Sequence, residues 1–105
     1  MPESFERGAL TEAVFYILLS LHEPMHGYAI MQNIDRLTAG RVVLGPGTLY
    51  GAINALTEKG WIDAVSTEKD SRKKAYVITE NGRVVFQTEL ERLRRLISDG
   101  EKLGR

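Results

Sequence analysis

The runs WIDAVST at 61–67 and AYVIT at 75–79 are both β-rich, and only the charged stretch EKDSRKK separates them. The chain turns straight back on itself there, so the two runs pair as an antiparallel hairpin with Asp70-Ser71 in its turn. No Asn-Gly or Asp-Gly pair fixes the turn type. Only 26 residues follow Thr79, which leaves no room for a larger sheet. At 105 residues the chain is about one domain with a modest core, and most of that core must come from helices.

Four helices can be read around the hairpin. Thr11 caps the first, TEAVFYILLSLH, in which Ala13, Val14, Ile17, Leu18 and Leu21 form an apolar stripe at helical spacing. Phe15, Tyr16 and Leu19 carry apolar character to the other side, so this helix is expected to be covered on more than one face. Pro24 ends it. After a turn at His26-Gly27 a second helix, YAIMQNIDRL, puts Ile30, Ile34 and Leu37 on one side, and Gly40 closes it. The third starts near Pro46-Gly47 and stops at Gly60, with Leu49, Ile53 and Leu56 on its core face. Thr79 caps the fourth, from about 80 to 98, where Phe86, Leu90, Leu93 and Ile97 repeat at the a/d spacing of a helix that packs along another.

The segment RVVLGPGTLYGAINALTEKG at 41–60 offers two readings of its glycines at 45, 47 and 51. A strand followed by such a pattern suits a loop that cradles a dinucleotide pyrophosphate at a helix N-terminus, and Asp63 could then pose as the ribose acid. That fold needs the next strand parallel and further βαβ units beyond it. The hairpin and the short remainder of the chain supply neither. The order helix, helix, helix, hairpin, helix is that of a winged helix-turn-helix, mainly α with a small β-hairpin.

On that reading, Tyr50, Gly51, Asn54, Ala55 and Glu58 lie on the outward side of the third helix. Gly51 and Ala55 keep the surface low. Asn54 has the paired donor and acceptor that suit an adenine edge in the major groove. Thr48 and Tyr50 carry hydroxyls where phosphate contacts usually fall. Each has a bland alternative: Asn54 as a solvated helix residue, Tyr50 packed against the second helix, and the basic tip as an ordinary solvated hairpin.

Net charge is zero, which argues mildly against binding nucleic acid through bulk charge. Its distribution argues the other way. Residues 1–40 carry a net of −3, whereas 69–79 carry Lys69, Arg72, Lys73 and Lys74 against Asp70 alone, a net of +3. A basic hairpin directly after a helix-turn-helix can reach over a DNA backbone or into the neighbouring minor groove. The absence of Cys removes disulfides, thiolate metal sites and a thiol nucleophile. The N-terminus lacks the pattern of a signal peptide, and the longest apolar run, AVFYILL, is far shorter than a membrane span. A cytoplasmic protein without a membrane partner is expected.

Gly47-Thr48-Leu49-Tyr50, then Ile53, Leu56, Gly60 and Ile62, then Arg72 through Thr79 and Gly82, resembles the PadR-like transcriptional regulators. So does HGYAI at 26–30. The resemblance implies a homodimeric winged-helix repressor on a palindromic operator, with the C-terminal helix serving dimerisation, and it resembles the short branch with a single such helix. Thr57, Ile53 and Trp61 depart from the usual residues of the family. Some short members sandwich flat aromatic ligands between tryptophans of the C-terminal helix, which has no Trp here.

The expected organisation is a DNA-binding domain over 1–79 and a dimerisation helix with its tail over 80–105. Helices two and three fill most of one core, so Phe15, Leu19, Phe86, Leu90, Leu93 and Ile97 are assigned to a homodimer in which helix four packs on helices one and four of its mate. A cleft near the two-fold axis would take a small-molecule effector of unknown identity. No cofactor, metal or catalytic residue is expected. Two competing classes remain: a winged-helix module that binds only protein, and an enzyme built on His22 and His26, whose metal-like spacing Pro24 interrupts.

Overall fold

The computed structural model describes residues 8–65 and 74–104. Element order is α1 (Glu12–Ser20), β1 (Met25–His26), α2 (Gly27–Leu37), α3 (Pro46–Glu58), β2 (Ile62–Val65), β3 (Ala75–Ile78) and α4 (Glu80–Leu103). The strands form one antiparallel sheet in the order β1-β3-β2. The hairpin pairs Ile62 with Ile78 and Val65 with Ala75, and β1 adds Met25 opposite Tyr76 and His26 opposite Ala75. The sequence reading places a turn at His26-Gly27 and no strand before it. Two residues are too few to show a period, so this third strand has no signature of its own.

Each helix begins and ends for a local reason. Thr11 Oγ1 accepts from the Val14 amide at 3.1 Å, and Thr79 Oγ1 accepts from the Gly82 amide at 3.0 Å, so both expected caps form. Pro46 occupies the first turn of α3, where its missing amide hydrogen is no loss. Gly60, at φ +78°, ends that helix: its amide bonds Thr57 and the Trp61 amide bonds Leu56, which satisfies two terminal carbonyls. After α2 the chain turns through Ala39 and Gly40, both at positive φ. Thr38 steadies the turn, its hydroxyl bonded to the Ile34 carbonyl and to the Val42 amide.

The core joins Ile17, Leu18 and Leu21 to Ile30, Ile34, Leu49, Ile53, Leu56, Ile62, Ile78 and Phe86. Ser20 is buried among them, and its hydroxyl accepts from Asn33 Nδ2 at 2.9 Å, linking α1 to α2 without an unpaired polar atom. Leu37, expected on the core side, is 53% exposed because α2 ends there and its last turn clears the domain. α4 runs five residues past the expected end near 98, continuing through Gly100 to Leu103.

Candidate nucleic-acid interface

The outward face of α3 follows from its inward one. With Leu49, Ile53 and Leu56 buried, Thr48, Gly51 and Asn54 are exposed, and the start of the helix at Gly45, Pro46 and Gly47 is exposed with them. Gly45, Gly47 and Gly51 have a further property in common. A Cβ placed at any of them would meet no other group within 4 Å, and none has positive φ. Among the described residues neither packing nor backbone geometry requires glycine at those positions. Glycine inside a helix costs roughly 1 kcal/mol relative to alanine, a cost that applies to Gly51, whereas Gly45 is the N-cap and Gly47 lies in the first turn of α3.

Tyr50 sits at the border of this face. It is 42% exposed, yet the tip of its ring lies over the Cα of Gly27 at the start of α2. Ala55 is exposed but borders a cavity of about 210 Å3 beside Leu10, Val14 and Trp61, so it faces the start of α1. Of the basic tip, Lys74 is exposed at the foot of β3, while Lys69, Arg72 and Lys73 lie outside the described residues. The Lys74 carbonyl accepts from His26 Nδ1 at 3.1 Å. β1 and this bond together fix the base of the hairpin to the start of α2. Tyr28, not singled out by the sequence reading, is 66% exposed next to these residues; the HGY triplet at 26–28 was its only signal.

The two histidines do different work. His22 Nδ1 lies 2.9 Å and 3.2 Å from the Leu18 and Leu19 carbonyls, closing the end of α1, and its ring meets Phe86 edge-on at 5.0 Å. His26 holds the hairpin base instead.

The residues assigned to the dimer fall into two groups. Phe86 is 5% exposed and stacks on Phe15 of the same chain at 4.9 Å, so the Phe86 ring is covered within one copy, while Phe15 is half-buried. Leu19, Leu90 and Leu93 are half-buried. Ile97 is 59% exposed, and beside it Leu96 at 53% and Leu103 at 85% continue an apolar surface down the distal half of α4. Leu96 and Leu103 escape a strict a/d reading because they flank the seam.

Among the described residues one charged group is buried. Glu89 of α4, 4% exposed, receives two hydrogen bonds from Arg92, at 2.8 and 2.7 Å, and one from the Leu10 amide at 3.2 Å. The Arg92 guanidinium, aided by that amide, holds the carboxyl below the usual glutamate range against the opposing effect of burial. The chain ahead of α1 is thereby strapped to α4.

A three-helix core with an exposed third helix and a sheet-based wing defines a winged helix-turn-helix regulator. Known proteins agree. The model of the transcriptional regulator PadR-like family matches residues 15–88. A transcriptional regulator from Clostridium thermocellum superposes with a TM-score of 0.74 at 24% identity, covering 90% of this chain and 93% of that one. A PadR family regulator from Eggerthella lenta gives 0.70 at 25% identity, covering 86% and 78%. An uncharacterized 37.1 kDa protein in a transposon of Streptomyces fradiae is 34% identical over 86 residues, 81% of this chain and 24% of that protein. The chain thus spans about a quarter of that relative's length. The chain belongs to the PadR-like family of transcriptional regulators. Among the described residues no helix is long and apolar enough to cross a membrane.

Proposed function

We propose that this chain is a cytoplasmic, homodimeric repressor that binds a palindromic operator with α3 in the major groove. The observation that carries the reading is the bare ridge of Gly45, Gly47 and Gly51, glycines that no packing contact among the described residues requires. Thr48 at the helix start would meet phosphates, and Asn54 would read a base edge. Lys69, Arg72, Lys73 and Lys74 would contact the flanking backbone. The exposed distal half of α4 would pair with a second copy, and a small molecule in the cleft near the two-fold axis would release the DNA.

Selection from a random duplex pool tests this. The expected result is an enriched motif with dyad symmetry and a footprint of two half-sites about one helical turn apart. Recovery of no motif at moderate salt would defeat the proposal.

A further inference from the structure

Gly27 is the first residue of α2, and it is buried. A Cβ there would stand 2.6 Å from Cζ of Tyr50 and closer still to its hydroxyl oxygen. The ring tip of a residue on α3 therefore rests directly on the backbone of α2. The third wall of this seat is the wing. β1 ends at His26, immediately before Gly27, and Met25 of β1 pairs with Tyr76 of β3. Burial raises the Tyr76 pKa above the ordinary tyrosine value, and the nearby Tyr50 phenol adds to the effect.

We propose that Gly27 is a positioning residue for DNA recognition: its missing side chain seats the Tyr50 ring between the start of α2 and the wing, and so fixes the Tyr50 hydroxyl at the edge of the DNA-facing surface. The inference rests on the DNA-binding reading given above. Tyr50 is 42% exposed, so its ring can swing into solvent and leave the core unchanged. Filling the seat thus displaces the hydroxyl without unfolding the domain.

The test uses a duplex of about three helical turns enriched by the wild type from a random pool. Gly27→Ala is expected to weaken binding to it about tenfold, and Tyr50→Ala to weaken it to a similar degree. In the Tyr50→Ala background, Gly27→Ala is expected to change affinity by less than about twofold, because the three atoms nearest the added methyl, all of the Tyr50 ring tip, are then gone. Its melting temperature should rise there, since alanine is the better helix former. Unchanged affinity of Gly27→Ala, or additive losses in the double variant, would overturn the assignment while the DNA-binding reading stands. So would a large fall in melting temperature that Tyr50→Ala does not reverse. If the wild type enriches no duplex, the DNA-binding reading fails first and takes the assignment with it.

Discussion

Glycine serves different purposes along this chain, and substitution separates them. At Gly82 a Cβ would fall on the carbonyl oxygen of Trp61 and 2.7 Å from Ile78 Cγ1, both held by the core. Gly82→Ala is expected to destabilise the domain by about 1–3 kcal/mol, read as a lower denaturation midpoint. Gly51 has open space around it. Gly51→Ala should raise stability by up to about 1 kcal/mol while weakening operator binding, a trade visible by pairing melting with DNA titration. Glu89 adds a pH dependence whose sign is set by its lowered pKa. Its contribution is present at neutral pH, above the unfolded glutamate value, and is lost as pH falls through the folded one. The stability gap between wild type and Glu89→Gln should therefore shrink between about pH 5 and pH 3. A gap that stays constant over that range would show that the strap at Leu10 does not depend on the carboxylate charge.

Among the elements, those with several turns of apolar spacing were legible in advance. Ile17, Leu18, Leu49, Ile53 and Leu56 declare the inner faces of α1 and α3 because burial on one side of a helix imposes its period on the sequence. The strand at Met25–His26 was not legible, since its reason for existing is the edge of β3, nearly fifty residues away. Nor was the run of α4 past Asp99-Gly100. Local propensity disfavours that stretch, and a long helix with a frame already established carries it through. The outward residues of α3 could be placed by angle alone, but the seat under Tyr50 could not, because spacing says nothing of which ring lies on which backbone. For the hairpin, single replacement of Lys69, Arg72, Lys73 or Lys74 by alanine should weaken binding similarly across DNA sequences and reduce its salt dependence. A loss confined to one sequence would mean that the residue reads a groove.

The whole molecule measures 55 × 30 × 22 Å, with a radius of gyration of 15.1 Å. A compact chain of this length would have about 13 Å. The excess comes from α4, whose 24 residues span roughly 36 Å and outrun the core after Leu93. Leu96, Ile97 and Leu103 lie on that projection. Burying each would contribute roughly 1.5–3 kcal/mol, and a second copy related by a two-fold axis offers the matching surface. Changing Leu96 and Ile97 together to Lys should yield monomers in sedimentation at micromolar concentration, with a melting transition retained and operator binding lost. A wild type that sediments as a monomer would refute the interface.

Thr79 joins the two ends of this arrangement. Its hydroxyl donates to the Gly60 carbonyl at 2.7 Å and its amide to the Trp61 carbonyl at 2.9 Å, while the same hydroxyl oxygen caps α4. The turn that ends α3 and the first turn of α4 thus share one residue. A rocking of one arm is expected to be passed through this joint to the other. A ligand wedged between two copies of α4 would need no path of its own to the operator, because a small change in the angle between the copies would carry both reading heads out of step with the pitch of the duplex.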